Sequence, residues 1–389
     1  MNASTRPSTT PGAAQDPAGP GLGARVADLA RRPLVWGLLA IALLLVVNLL
    51  KDPSYLAIRV SPSGNLAGNV LDILRASAPV LMVATGMALV IATAGIDLSV
   101  GSVMAVSGAA SMEYLQGAGA SSSAGAALTA VGLSVLLGAA VGTVSGLLVA
   151  YVGLQPFITT LVMMLAGRGL AKVITSGQNT TATNEQFRWI ANGHVAGFPV
   201  VFLIAVAIVL LIIAVVRRSA LGMMIVSIGI NPRASRMAGI KPGGLLITVY
   251  ALSGALAAVA GIFAVGSVMT VDVSQTGYQM EMDAILAVVV GGGSLAGGRL
   301  SMGGAAVGAL LIATLDKTVV FLGVPSSATP AFKAVVILAL FLLQSDTVRG
   351  VLGRRRPRGA PPASGAPSAS GGTGAADADV PATAGSVTA

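Results

Sequence analysis

The chain has 389 residues, of which 54% are hydrophobic and 10% are charged, whereas about a quarter of the residues in a typical soluble domain are charged. So many apolar side chains cannot be covered in water without large exposed patches, and the composition therefore excludes an ordinary soluble enzyme. The net charge is +9, but the basic residues cluster beside apolar runs, which argues against a nucleic-acid-binding face.

The two ends of the chain differ in composition from its middle. Residues 1–33 and 347–389 are rich in Ala, Gly, Pro, Ser and Thr, and such segments bury too little apolar surface to offset the entropy lost on ordering. We predict a disordered cytoplasmic N-terminal tail, and a cytoplasmic C-terminal tail that is first basic and then disordered. Residues 34–346 form the predicted transmembrane domain.

The middle of the chain is a series of apolar runs. A helix that crosses a membrane needs about 20 mostly apolar residues, so about ten such helices fit. The predicted fold class is all-α, a polytopic membrane protein with interrupted helices that contacts membrane lipid. The predicted spans are 34–50, 70–93, 98–116, 124–152, 157–176, 200–216, 243–269, 282–296, 302–322 and 330–346.

Clusters of basic residues indicate how these spans are oriented. Arg31 and Arg32 precede the first span, the loop 217–242 holds a second cluster, and Arg354 and Arg355 follow the last span. Cytoplasmic loops of membrane proteins carry an excess of Lys and Arg. An even number of spans places all three clusters, and both termini, in the cytoplasm.

The first interruption of the apolar pattern lies between the second and third spans. Gly95, Asp97, Ser99 and Gly101 bring an acid, a hydroxyl and two glycines between two apolar stretches. Irregular backbone at membrane depth persists only where it is packed in protein or lines a wet cavity. Asp97 or Ser99 is therefore either a structural cap of the following helix or part of a hinge beside a translocation pathway.

Glycines spaced four residues apart occur in two of the predicted spans. Gly138, Gly142 and Gly146 form one such series, and Gly304 and Gly308 form a shorter one. Small residues at this spacing let two membrane helices approach closely. We therefore predict tight helix packing at both places.

The longest polar connection in the middle of the chain is 177–199, which the predicted topology places outside the cell. It is either an ordinary solvated loop or a contact surface for an external partner. It contains the single histidine, His194, for which we expect no chemical role.

The basic loop 217–242 contains a short segment with the signals of a helix. Asn231 is a favourable N-cap, a proline follows it, and Gly239 suits the position just past the end. Arg233 and Arg236 are three residues apart and therefore share a face. The helix either rests on anionic lipid headgroups or docks into a soluble partner.

A second interruption lies in the later half of the chain. Gly291, Gly292, Gly293 and Ser294 follow an apolar stretch that contains Asp283. Paired breaks in corresponding halves of a membrane protein indicate a transporter built from two related halves.

The sequence lacks the motifs of common catalytic and nucleotide sites. No lysine follows a glycine, so no P-loop exists, and G-x-S-x-G and H-E-x-x-H are also absent. With no cysteine and one histidine, we predict no catalytic residue, no metal site and no cofactor. One rival class is an ion-coupled secondary transporter that uses the intramembrane acids Asp97 and Asp283.

Three ordered motifs resemble the permease subunits of ribose-type monosaccharide ABC importers, over about residues 34–346. They are the runs 95–102, 231–240 and 291–299. Short segments such as 73–75, 154–157 and 166–169 are most similar to the galactofuranose-type branch. Relatives often carry paired asparagines in the ninth helix, where this chain has Asp316 and Lys317.

The resemblance implies a transport complex of the cytoplasmic membrane. Its expected partners are a cytoplasmic ATPase with tandem nucleotide domains, an extracytoplasmic sugar-binding protein and a second permease chain, identical or sister. The imported sugar would be a pentose or hexose. The resemblance assigns the helix of Asn231, Arg233, Arg236 and Gly239 to coupling with the ATPase. From the residues themselves we predict that the breaks at 95–101 and 291–294 lie beside the pathway.

Overall fold

The computed structural model describes residues 33–60, 64–119 and 121–344, and they form a bundle of helices. The helices are α1 (Pro33–Lys51), α2 (Asn69–Ala92), α3 (Val100–Ala118), α4 (Ala124–Leu147, continued by a π-helix over Leu148–Val152), α5 (Pro156–Ile174), α6 (Glu185–Asn192), α7 (Val200–Arg218), α8 (Leu221–Ile230), α9 (Pro232–Met237), α10 (Pro242–Val268), α11 (Met280–Val290), α12 (Met302–Phe321) and α13 (Thr329–Gln344). The tails predicted at 1–33 and 347–389 lie outside the described residues, apart from Pro33, which begins α1.

Three short antiparallel pairs occur in the connections between helices. They join β1 (Arg59–Val60) to β2 (Leu66–Ala67), β3 (Thr180–Thr181) to β6 (Thr270–Val271), and β4 (His194–Val195) to β5 (Phe198–Pro199). Each strand has two residues, so these pairs fasten loops and form no sheet layer.

Each of the ten predicted spans contains a helix, but the helices differ in their ability to cross a membrane. Among the described residues, seven are long and apolar enough to do so: α1, α2, α4, α5, α7, α10 and α12. The predicted span 282–296 is interrupted, because α11 ends at Val290 and the glycines after it leave the helix. The polytopic all-α class is confirmed, whereas ten spans and cytoplasmic termini stay predictions.

The loop predicted at 217–242 contains a helix that the sequence analysis did not anticipate. Helix α8 covers the apolar run 221–230 and buries Ile225 and Ile228. The apolar run lies between basic residues and is half the length of a membrane span, so its tendency to pack against the bundle was overlooked.

Helix α2 lies at the centre of the bundle. Beyond Arg75 it is largely apolar, and large side chains such as Met82, Met87 and Leu89 are fully buried, as expected for a helix surrounded by others. It packs against α7, α10, α11 and α12. Helix α5, in contrast, exposes large apolar side chains such as Leu165 and Val173, which suits contact with lipid.

The predicted close packing of glycine-bearing helices is confirmed. A Cβ atom on Gly142 of α4 would overlap the backbone of Tyr250 in α10, and one on Gly138 would lie 2.6 Å from the carbonyl oxygen of Gly254. Gly308 of α12 lies equally close to the backbone of Ala287 in α11. These approaches fix how the segments around the two interruptions are positioned.

Candidate translocation and coupling sites

The first interruption is an ordered turn held by Asp97. Its Oδ1 accepts hydrogen bonds from the backbone N–H of Ser99 (3.0 Å) and from the Ser99 hydroxyl (2.6 Å). Its Oδ2 accepts a third hydrogen bond from the hydroxyl of Ser253 in α10 (2.8 Å). Asp97 is 1% exposed. It stabilises the turn before α3 and connects that turn to α10. The predicted cap is not formed, because Ser99 is the N-cap residue and its side chain accepts no hydrogen bond from the first turn of α3. The hinge role stays a prediction.

The glycines of the first interruption permit close contacts with other elements. A Cβ atom on Gly95 would lie 2.6 Å from the hydroxyl oxygen of Tyr250. A Cβ atom on Gly101 would overlap the carbonyl oxygen of Gly277, in the segment before α11. Larger residues at these positions would push the turn away from α10 and from the start of α11.

Arg168 of α5 holds the segment that faces Gly101. Its Nη1 donates hydrogen bonds to the carbonyl oxygens of Val273 (3.1 Å) and Thr276 (2.6 Å). The sequence analysis assigned no role to Arg168, because its acceptors are backbone atoms more than 100 positions away. The first interruption, α5 and the start of α11 are therefore connected.

The second interruption begins where α11 ends at Val290. The N–H of Gly293 donates to the carbonyl oxygen of Val288 (2.9 Å), and Gly292 has φ +90°, a conformation that favours glycine. A Cβ atom on Gly291 would overlap the backbone of Gly304 in α12. Ser294 continues the turn by accepting a hydrogen bond from the N–H of Gly297 (2.9 Å).

The two interruptions contact one another directly. The N–H of Gly298, just after the second, donates a 3.0 Å hydrogen bond to the carbonyl oxygen of Ala92, just before the first. A Cβ atom on Gly297 would lie 2.6 Å from the Cβ of Ala94. Residues about 200 positions apart thus form one junction, which local sequence patterns cannot reveal.

Helix α8 ends at the same junction. A Cβ atom on Gly229 would overlap the carbonyl oxygen of Ala92, and one on Gly298 would lie 2.6 Å from Cγ1 of Ile230. Asn231 follows immediately and begins α9. The short basic helix is therefore connected to both interruptions through the last turn of α8.

Helix α9 has the predicted local structure. The Asn231 side chain accepts hydrogen bonds from the N–H groups of Arg233 and Ala234, both at 3.0 Å, and Gly239 has φ +85° just after the end. Arg233 and Arg236 are exposed, and Met237, the last residue of the helix, is 92% exposed. Two cations and an apolar side chain thus face away from the bundle.

Asp283, the other acid of the rival interpretation, is paired. Lys333 Nζ of α13 lies 3.0 Å from Asp283 Oδ2 and 2.7 Å from Oδ1 of Asp316 in α12. Asp97 accepts three hydrogen bonds from two serines. Across the described part of the chain, no group of three or more His, Cys, Asp or Glu side chains is placed to hold a metal ion.

The connection 177–199 packs back on the bundle through His194, a contact that the sequence analysis missed. Nε2 of His194 lies 3.1 Å from Nη2 of Arg75 in α2. The guanidinium can only donate, so the imidazole nitrogen accepts. Burial, and secondarily the charge of Arg75, lowers the pKa of His194 below its usual value.

Comparison with known proteins agrees with this architecture. A family described as branched-chain amino acid transport system / permease component matches residues 69–344, which is more than half of the chain. This range includes both interruptions and α9.

Several curated relatives are permeases that transport a sugar given in their names. The chain is similar to the fructose import permease FruF of Bifidobacterium longum, with 52% identity over 82% of this chain and 89% of the relative. It is 41% identical to the galactofuranose transporter permease YtfT of Escherichia coli, over 82% and 92% of the two chains. It is 39% identical to the ribose import permease RbsC of Escherichia coli, over 73% and 88%.

No solved structure matches the chain significantly. The relatives do not favour the ion-coupled alternative, because they are importer permeases. Such a permease works with an ATPase and a substrate-binding protein and catalyses no bond chemistry. The chain belongs to the permease family of ABC importers, among the ribose-type sugar permeases, and is a multi-pass protein of the cytoplasmic membrane.

Proposed function

We propose that the chain imports a monosaccharide that an external binding protein delivers, and that ATP hydrolysis on a separate tandem-domain subunit drives the movement. The named substrates of the relatives, which are fructose, galactofuranose and ribose, support this substrate class. Fructose is the first sugar to test, because the fructose permease has 52% identity. The pathway would lie between two permease chains, identical or sister.

We infer an orientation with both termini and α9 in the cytoplasm and the connection 177–199 outside. The distribution of basic residues supports it, and the coupling role proposed for α9 agrees with it. The basic residues Arg217, Arg218, Arg233 and Arg236 all lie near α9, where the positive-inside rule requires the cytoplasm. A cytoplasmic position also gives the two exposed arginines of α9 access to the ATPase.

The contact between the two interruptions and α8 is the observation that carries the mechanism. Movement of α9 by the ATPase would displace the last turn of α8, and with it the Ala92–Gly298 hydrogen bond (3.0 Å). Backbone segments interrupted by glycine rearrange more readily than continuous helices. The pathway residues would be Gly95, Asp97, Ser99 and Gly101, with Gly291, Gly292, Gly293 and Ser294 as their counterpart in the second half.

The coupling role of α9 is tested by charge reversal. We expect Arg233→Glu with Arg236→Glu to abolish copurification of the permease with its ATPase, because reversal replaces attraction by repulsion across the contact. Membrane insertion should be unchanged, since both side chains are exposed. Pull-down from detergent-solubilised membranes measures the loss.

Arg217→Glu with Arg218→Glu provides the matched control. These arginines end α7, carry the same charge and are also exposed. The control variant should retain the ATPase. Retained assembly of the α9 variant, or equal loss in both variants, would contradict the assignment.

A further inference from the structure

Two adjoining cavities lie at the end of the bundle opposite α9. One has a volume of about 290 Å³ and is lined by the first turns of α2 and α7 and the last turns of α10 and α12. The other, of about 240 Å³, includes His194, and both are lined by Asp72 and Arg75. Helix α10 has 27 residues, so about 40 Å of helix separates this end from α9.

The larger cavity is lined by three charged side chains that form no ion pair with one another, although Arg75 donates a hydrogen bond to His194. Asp72, Arg75 and Lys317 all line it, yet within the described residues none of them forms an ion pair. Lys317 forms no hydrogen bond there either. Nε of Arg75 is buried and lacks a hydrogen-bond partner in the same part of the chain.

One polar atom of the cavity requires an explanation, which is Nε of Arg75, because a buried donor without a partner costs about 1–3 kcal/mol. Asp72 is exposed and Lys317 is half-buried, so a molecule that enters the cavity from outside can reach both charges. Asp316 and Lys317 are adjacent in α12 but have different surroundings. Asp316 forms an ion pair with Lys333, whereas Lys317 lines the cavity.

The chemistry of the three groups fits a neutral molecule with several hydroxyls. A carboxylate accepts a hydrogen bond from a hydroxyl, whereas guanidinium and ammonium groups donate to one. The remaining wall contains Ser267 and apolar residues, including Pro79 and Phe263, which offer contact to C–H groups. A volume near 290 Å³ is at the lower end of the range for ligand pockets, as suits one small molecule.

We propose that the cavity lined by Asp72, Arg75 and Lys317 is the site where the permease receives a monosaccharide from its external side. This inference rests on the proposed function, which supplies the substrate class and the orientation. It assigns Asp72 to accepting a hydrogen bond from a sugar hydroxyl, and Arg75 and Lys317 to donating.

The test uses the complete complex of permease, ATPase and binding protein in proteoliposomes, with fructose as the first probe. Asp72→Asn and Lys317→Met keep the side-chain size and remove the charge. Each should lower fructose uptake at subsaturating concentration by about tenfold or more, as expected when one hydrogen bond to a charged group is lost. Each should also change the ratio of uptake between fructose and ribose.

Lys172→Met is the matched control, because Lys172 is an exposed lysine close to the end of α5. Its uptake and sugar ratios should equal those of the unchanged protein. Copurification with the ATPase serves as the measure of folding and should be retained in every variant.

The outcomes separate this site from the proposed function. If the unchanged complex imports a sugar and both cavity variants keep its rate and selectivity, the site is wrong and the function stands. If the variants lose assembly together with uptake, the residues are structural and the site is also wrong. If the unchanged complex accumulates no pentose or hexose, the proposed function fails and the site fails with it.

Discussion

His194 and Arg75 form a contact whose strength depends on pH. The imidazole accepts from the guanidinium only when neutral, and burial and Arg75 both lower the pKa of His194 below its usual 6.5. The contact is therefore complete above pH 6.5 and is lost as the pH falls through the lowered value. We expect the single histidine resonance in selectively labelled protein to titrate below 6.5.

Substitution of Arg75 separates the effect of burial on the pKa of His194 from the effect of the Arg75 charge. Arg75→Gln removes the charge and should raise the pKa of His194 towards 6.5 without reaching it, because burial is the larger cause. Arg188→Gln is the control, since Arg188 is an exposed arginine of the same connection and should leave the titration unchanged. A value at or above 6.5 in the unchanged protein would refute this account.

At the scale of elements, the glycines of α12 distinguish packing from helix propensity. A Cβ atom on Gly304 would overlap the carbonyl oxygen of Gly291, whereas one on Gly303 would meet nothing within 4 Å. Gly304→Ala should therefore lower stability by about 1–3 kcal/mol through overpacking. Gly303→Ala should be neutral or stabilising by up to about 1 kcal/mol, because alanine favours a helix.

Thermal unfolding of the purified protein in detergent measures both variants. The two substitutions are chemically identical and adjacent, so a difference between them reports the contact of α11 with α12. Equal stabilities would show that the second interruption is not held against α12 as the structure indicates.

The helices themselves could be predicted from local signals, and their meeting points could not. Asn231 and Gly239 indicated α9 because capping depends on nearby residues. The apolar runs indicated the long helices, because the hydrophobicity of a segment also depends only on residues close in sequence. The junction of Ala92 with Gly298, and the contact of Arg75 with His194, 119 positions apart, depend on tertiary packing. Helix α8 was missed because a short apolar run between basic residues also fits a loop.

At the scale of the whole molecule, helix α9 and the cavity lined by Asp72, Arg75 and Lys317 lie at opposite ends of the bundle. Composition indicated a membrane protein, the two interruptions indicated a transporter, and the missing P-loop indicated that ATP is bound by another subunit. The relatives confirm the class of importer permease. The unpaired charges around Lys317 required the structure, because Asp316 and Lys317 are adjacent in sequence but differ in partners. Between the ends run α2 and α10, both largely buried.

Lys333 connects the last three helices through two carboxylates. Its Nζ lies 3.0 Å from Asp283 and 2.7 Å from Asp316. The side chains of Lys333 and Asp283 are 16% and 15% exposed and that of Asp316 is 36% exposed, so the cluster is only partly buried. Removal of Lys333 leaves two carboxylates without their cation and should cost less than the roughly 3–5 kcal/mol that is typical of a fully buried pair. We therefore expect Lys333→Met to lower the thermal stability and the yield of folded permease.

The triple variant Lys333→Met, Asp283→Asn, Asp316→Asn separates a structural role from ion coupling. It removes all three charges together, so no uncompensated charge remains and most of the stability should return. With its ATPase and binding protein, this variant should retain ATP-driven sugar uptake within a few-fold of the unchanged complex. If it folds and assembles but loses uptake, the two carboxylates take part in translocation, and the structural account of this cluster is wrong.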